Sequence, residues 1–250
     1  MEVLAGPHAV RATLRAGRRQ VHKVYLSHER TPRPEIHEIA SLCDQRGVPI
    51  ESSSSARLAA LAEGVPHQGV VAQVGPYPLA ELDAMLEAAH RRDELSLLLA
   101  LDGIQDPHNL GAILRTADAV GVHGVILPSN RAAGVTPTVS RVSAGAVEYL
   151  LVSQCVNLAR ALGQLKEEGL WVVGIEQHVE ARDLWEVAFD MPTVLVLGSE
   201  GAGMRRLTLE TCDILASIPM AGHVGSLNVS VAASLALYTA ARGQAQSKSE

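Results

Sequence analysis

Apolar and polar positions along this chain follow two registers. Short β-branched or Leu-rich runs recur between longer stretches in which apolar residues return every three or four positions. In the front part, Pro7 to Ala16 predicts a short helix ended by Gly17, and Val21 to Ser27 predicts a strand. Pro34 to Arg46 carries Ile36, Ile39, Ala40, Leu42 and Cys43 on helical spacing, with Gly47 as its stop. Val48 to Glu51 reads as a strand. The serine run Ser52 to Ser55 can cap a helix over Ala56 to Glu63, and Gly69 to Val74 is a closing strand. Gly75-Pro76-Tyr77-Pro78 breaks the pattern, and Leu79 to Arg92 reads as an amphipathic linker helix.

Beyond it, strand and helix alternate. Strands are expected at Leu95 to Leu101, Val125 to Leu127, Glu148 to Ser153, Trp171 to Ile175, Thr193 to Leu197 and Ile214 to Ile218. Helices are expected at Leu110 to Val120, Thr136 to Ala144, Asn157 to Glu168 and, Ala-rich, Val229 to Ala241. This alternation means an α/β domain with a parallel sheet covered on both faces. No GxGxxG follows the first strand, so a dinucleotide-binding fold is not supported. The expected organisation is a small α/β/α domain over residues 1–74, a linker helix over 75–94, the parallel-sheet domain over 95–242 and a disordered tail over 243–250.

Composition narrows the setting. Apolar residues make up 47% of the 250 but aromatics only 3%, so the core is aliphatic. Cys43, Cys155 and Cys212 are scattered and form no CxxC pair, which argues against a disulfide framework or a metal site and for a reducing cytosol. The start has no signal-peptide pattern and no run is long enough to span a membrane, so a soluble cytoplasmic protein is expected. Net charge is −6, yet Met1 to Val74 holds nine Lys/Arg against seven Asp/Glu. Within it Arg11, Arg15, Arg18 and Arg19 are close enough to share one surface, a local footprint for phosphate or equally a solvated helix face.

Candidate chemistry gathers after the strands. Gly198-Ser199-Glu200-Gly201-Ala202-Gly203 ends one strand with three glycines, so its backbone can turn sharply or lie close to a ligand. Pro219, Gly222 and Gly225 follow the next strand and lead to Ser226-Leu227-Asn228. Two such loops after parallel strands suggest a pocket at the carboxyl edge of the sheet, with Glu200 as a buried carboxylate beside Ser226 and Asn228. Asn109 sits where a helix N-cap is wanted. Arg115 has no acidic residue four positions away on its helix; Asp118, three positions on, is its structural partner, or else a phosphate or developing oxyanion is. His67 and Gln68, in Gly64 to Ala72, read as a satisfied structural pair.

Three stretches, DPHNLGAILRTA, LVLGSEGAGM and IPMAGHVGSLNVSVAASLALY, resemble in order and spacing the motifs of the SpoU (TrmH-type) 2′-O-ribose RNA methyltransferases of the SPOUT class. GPHAV (Gly6 to Val10) and GVPHQGVVA resemble the small L30e-like RNA-binding domain that precedes the catalytic domain in many members. NLARAL, Asn157 to Leu162, is similar to the RlmB-type subgroup that modifies a guanosine of 23S rRNA. The resemblance covers nearly the whole chain. It implies a parallel-sheet domain tied in a C-terminal trefoil knot, and S-adenosylmethionine held by backbone at Gly198, Ile218 and Leu227. It also implies a catalytic centre of Asn109, Arg115, Glu200, Ser226 and Asn228, completed across a homodimer. The substrate would be RNA, most closely 23S rRNA, bound through Arg11, Arg15, Arg18 and Arg19. A tRNA guanosine is the alternative substrate, and a non-catalytic RNA-binding protein the rival class. Because an arginine side chain stays protonated, Arg115 suits holding a phosphate and stabilising an alkoxide better than removing a proton. Phosphate, Glu200 or water could take that proton.

Overall fold

The computed structural model describes residues 1–28 and 34–247, and the chain divides into two compact units. Arg30 and Arg33, counted in the positive balance, and residues 248–250 of the expected tail lie outside the described residues.

The first unit comprises Met1–Pro78 and Val135–Tyr149. Its strands β1 (Glu2–Ala5), β2 (Val21–Ser27), β3 (Ile50–Ser53) and β4 (Val70–Val74) form one sheet in the order β1-β4-β2-β3. β4 runs antiparallel to both neighbours, and β2 and β3 are parallel. The two-residue period of a strand turns Val70, Ala72 and Val74 to one face. There they meet Val10 and Leu14 of α1 (Pro7–Ala16) and Ile39 and Cys43 of α2 (Pro34–Arg46). Val71 and Tyr25 point the other way, onto Leu58 of α3 (Ser55–Leu61). The serine run supplies the cap of α3, Ser54 Oγ accepting the Arg57 N–H at 3.3 Å.

In the rest of the chain come α4 (Leu82–Arg91), β5 (Leu97–Asp102), α5 (Pro107–Ala119), β6 (Gly124–Pro128) and α6 (Pro137–Val142). After a 3-10 turn at Ala146–Tyr149 follow β7 (Val152–Cys155), α7 (Leu158–Glu167), β8 (Trp171–Ile175) and β9 (Arg182–Asp183). The last elements are β10 (Thr193–Gly198), α8 (Arg206–Thr211), β11 (Ile214–Ser217) and α9 (Val229–Ser247). All but α6 and the 3-10 turn belong to the second unit, Leu79–Gly134 and Leu150–Glu250. Its sheet has the order β7-β6-β5-β10-β8-β11-β9, and every pairing is parallel. Leu98, Ala100, Val194 and Val196 face Met85 of α4 and Leu158, Leu162 and Leu165 of α7. The alternate residues Leu97, Leu99, Leu101 and Leu195 are buried as well, which explains why these strands read as continuous apolar runs. After β8 the chain forms the edge strand β9, then crosses to β10 on the other side of β8 and returns to β11 between β8 and β9, and α9 packs on β10 and α5. The knot expectation depends on this double crossing around β8. No helix among the described residues is long and apolar enough to cross a membrane.

Several expectations need correction. The Leu79 to Arg92 stretch is not a linker: α4 packs into the second unit, with Met85 fully buried where a side chain at Gly124 would overlap it. Residues Val135–Tyr149 pack with the first unit rather than the second. The strand expected at Glu148 to Ser153 starts only at Val152. Glu148 is instead buried in the 3-10 turn, its Oε1 accepting from Ser140 Oγ at 2.7 Å and from Arg19 Nη1 at 3.4 Å. The tail is helical through Ser247, because Gly243 admits Phe189 against the helix and the Gln244 amide donates to the carbonyls of Ser96 and Met191. β1, unread in the sequence, is too short to show a period of its own and exists by pairing with β4.

Candidate active site

The carboxyl ends of β5, β8, β10 and β11 meet at one edge of the second sheet. β10 stops at Gly198, where any Cβ would overlap the Gly203 carbonyl carbon and the Met204 nitrogen. Ser199 and Gly203 close a tight hairpin through N–H to carbonyl bonds of 3.1 and 2.9 Å, turned by positive φ at Gly201 (+80°) and Gly203 (+66°). Two carboxylates then pin the outgoing backbone. Glu176 Oε2 accepts the Met204 N–H at 2.9 Å, and Asp102 Oδ2 accepts the Arg205 N–H at 2.8 Å. The other Asp102 oxygen is buried without a hydrogen bond and faces the charge of Arg205 Nε at 3.4 Å. Across the gap the Gln177 side-chain amide donates to the Ile218 carbonyl at 2.8 Å.

Between the two glycine loops lies a cavity of about 230 Å³, walled by Leu197, Gly198, Ile218, Met220, Ser226 and Leu227 among others, with Glu176 and Glu200 on its polar side. Gly198, Ile218 and Leu227, which the family resemblance singled out, thus all line this cavity. Asn109 and Asn228 meet directly, Asn228 Nδ2 donating to Asn109 Oδ1 at 3.1 Å. Asn228 Oδ1 is occupied by the Ser230 N–H at 2.9 Å and the Ser230 hydroxyl at 2.6 Å, which fixes which end of its amide faces Asn109. Along the same seam Thr116 and Ser234 bond at 3.0 Å, so α5 and α9 lie side by side.

Other members differ from expectation. Asn109 is not the cap of α5; Asp106 is, accepting the His108 N–H at 2.9 Å with Pro107 at the first helical position. Glu200 is exposed rather than buried, because the positive φ at Gly201 carries the hairpin tip outward. Arg115 is exposed too, and none of the described residues bonds or pairs with it. Asp118 does not answer it: burial alone pushes that carboxyl above its ordinary pKa. Six residues along α5 from Asn109 amounts to about 240° of rotation, so Arg115 points away from the Asn109–Asn228 contact and does not line the cavity.

Sequence reasoning missed Asp102, Glu176 and Gln177. All three stand at or just after strand ends, the same rule that found the glycine loops. The front arginines are largely spent within their own unit. Arg19 is not an RNA-facing residue: its side chain is fully buried between Glu2 and Glu148, which desolvation would otherwise leave as uncompensated charges. Arg11 and Arg15 both pair with Glu38, and Arg18 donates to the Tyr77 hydroxyl at 3.2 Å.

Comparison with known proteins gives this geometry a class. The crystal structure of the SpoU methyltransferase AviRb from Streptomyces viridochromogenes, in complex with the cofactor AdoMet, matches with TM-score 0.80 at 27% identity, over 98% of this chain and 90% of that one. The fold is the SPOUT-class α/β fold, with a substrate-binding unit at its front. The family model described as the SpoU rRNA Methylase family matches residues 96–238, and the one described as RNA 2′-O ribose methyltransferase substrate binding matches residues 3–80. The Bacillus subtilis protein YacO, named for the TrmH family of tRNA/rRNA methyltransferases, is 44% identical over 95% of this chain and 94% of its own. A Staphylococcus saprophyticus relative named for the same family is 42% identical over 94% of this chain and 93% of its own. This chain belongs to the SpoU rRNA methylase family.

Proposed function

We propose that this protein methylates a ribose 2′-hydroxyl of RNA with S-adenosylmethionine, its target a guanosine of 23S rRNA. One observation carries the reading: the loop at Gly198 and the loop from Ile218 to Leu227 wall one cavity, and Asn228, next to Leu227 in the chain, bonds Asn109 from a third, distant segment. The cavity suits the cofactor. Gly198 leaves space that a Cβ would fill, Leu197, Ile218 and Leu227 give apolar walls, and the Glu176 carboxylate offers a negative group toward a cationic ligand. When bound, S-adenosylmethionine supplies a methyl group activated by its sulfonium charge.

The chain's own residues then have distinct tasks. The fixed Asn228 amide holds Asn109, whose Nδ2 remains a donor with no acceptor among the described residues. Ser226 and Glu200 stand at the mouth of the cavity, where a proton leaving the hydroxyl can be accepted. Arg115 remains a permanent cation, suited to a phosphate or a developing alkoxide. Its direction away from its own cavity fits a role in the site of a second copy. Val231, Leu235 and Tyr238, at 48%, 36% and 58% exposure, form an apolar stripe on α9 that a symmetric homodimer would cover.

A tRNA guanosine is the second reading, because the names of the relatives cover tRNA and rRNA alike. A non-catalytic RNA-binding role is the rival from another class, and the clustered site residues speak against it. Mapping 2′-O-methyl marks in rRNA and tRNA from cells lacking the protein tests all three. The proposal expects one 23S guanosine mark to vanish and to return with the wild-type gene but not with Arg115→Ala. A lost tRNA mark would favour the second reading, and an unchanged map the rival.

A further inference from the structure

With Arg11, Arg15, Arg18 and Arg19 engaged internally, the first unit needs another contact for RNA. Lys23 and Arg57 are paired with Glu51, and Arg46 donates to the Arg15 carbonyl. Among the described residues of this unit, Arg141 is the one Lys or Arg whose side chain makes no hydrogen bond or ion pair. It comes from α6, in the segment that packs with the front unit although it follows β6 in sequence. Gly145, at φ +86°, holds that segment tight on α1: a Cβ there would lie 2.9 Å from the His8 carbonyl.

Arg141 lines two cavities that also share Ala5. The smaller, about 150 Å³, brings together the two front motifs of the sequence, with His8 from one and Pro66 and Gln68 from the other. Gln68 and Ala144 on its wall both hold positive φ, 50° and 54°, a conformation that costs non-glycine residues energy and often marks functional sites. His67 and Gln68 do not pair as expected: Gln68 is exposed, and His67 Nδ1 accepts the Gly69 N–H at 3.1 Å. The larger cavity, about 370 Å³, has apolar walls at Val3, Leu61 and Val65 and one carboxylate, Glu63.

We infer that this groove binds one nucleotide of single-stranded RNA, with a backbone phosphate on Arg141 and the adjoining base in the larger, apolar cavity. The inference rests on the proposed RNA substrate. The division of the groove follows from charge. A phosphate beside Glu63 would be repelled, so it belongs at Arg141, where a guanidinium can meet two of its oxygens. A base has no charge, has flat apolar faces, and carries N–H donors from which the Glu63 carboxylate can accept.

The test uses the full-length protein with protein-free 23S rRNA and bulk tRNA as probes, measuring affinity across a salt series. Arg141→Gln should weaken binding about tenfold and lower the salt slope by about one counterion, the loss of a single phosphate contact. Arg141→Lys should restore the slope but only part of the affinity, since it keeps the charge and loses the fork. S-adenosylmethionine binding and the melting temperature should not move, because the side chain makes no hydrogen bond or ion pair among the described residues. Arg91→Gln, on a surface i,i+4 pair of the second unit, is the control and should leave the slope unchanged. Wild-type RNA binding with an unchanged affinity and slope in Arg141→Gln would overturn this inference alone. Loss of affinity with an unchanged slope would overturn it too. A wild type that binds neither RNA would overturn the substrate reading together with the inference.

Discussion

Replacing Gly198 by Ala is the smallest change that tests whether the backbone at the end of β10 shapes the cavity. The added methyl would occupy the same space as the Gly203 carbonyl carbon and the Met204 nitrogen, backbone atoms that cannot rotate aside. The hairpin must move, and with it the Ser199–Gly203 bonds, the Met204 N–H to Glu176 bond and the Arg205 N–H to Asp102 bond. Overpacking alone costs about 1–3 kcal/mol. Losing even one hydrogen bond to a carboxylate adds about 1.5–3 kcal/mol. Partial relaxation of the exposed hairpin tip offsets some of this, so a net loss of about 2–4 kcal/mol is expected, or about 5–15 °C in Tm for a chain of this size. Differential scanning calorimetry with and without S-adenosylmethionine reads both consequences. The wild type should gain stability from the cofactor as mass action requires, whereas the variant should gain little or none. A Gly198→Ala protein that melts within a degree or two of wild type and is equally stabilised by the cofactor would refute the tight approach and its role in the site.

Arg115→Ala should lose at least about a hundredfold in turnover while cofactor binding and Tm stay near wild type, since the side chain is exposed and pairs with none of the described residues; comparable turnover would remove it from the catalytic set. Val231→Glu combined with Tyr238→Glu should shift a dimer to monomer in light scattering and abolish activity without unfolding the chain, and an active monomeric wild type would refute the dimer. Arg19→Ala should destabilise the first unit by about 3–5 kcal/mol in urea unfolding, because it removes the cation paired with the buried Glu148 carboxylate; a change under 1 kcal/mol would contradict the network. Burial holds the His123 pKa below its ordinary 6.5, so the unfolded chain binds the proton first as pH falls. Stability should therefore drop as pH falls below about 6.5, and a His123 contribution that grows in that range would refute the assignment.

Much of this was legible in the sequence because periodicity and glycine placement act locally. Most of the parallel strands announced themselves as β-branched or Leu-rich runs, although the two-residue β9 did not, and the three glycines from Gly198 to Gly203 marked the close approach that the structure contains. What the sequence hid depends on which element covers which. Absence of an acidic residue four positions from Arg115 fits an exposed arginine as well as a buried one, and only the packing of α5 on α9 decides. Arg19 reads as one of four clustered cations until Glu148, far along the chain, is folded against it. The same long-range pairing turns Glu148 from the start of a strand into the buried end of a 3-10 turn. Flanking glycines identified the Glu200 loop but not the outward turn at Gly201 that exposes its carboxylate.

The central claim is methyl transfer to a ribose oxygen, and alkaline hydrolysis of RNA labelled by this protein tests it most directly. A 2′-O-methyl group removes the hydroxyl that alkali uses to cut the chain, whereas a methylated base leaves it free. Incubation with methyl-labelled S-adenosylmethionine and protein-free 23S rRNA or tRNA should place the label in alkali-resistant dinucleotides with guanosine at the 5′ position. Label released as single nucleotides, or no label in either RNA from an enzyme that binds the cofactor, would contradict the account.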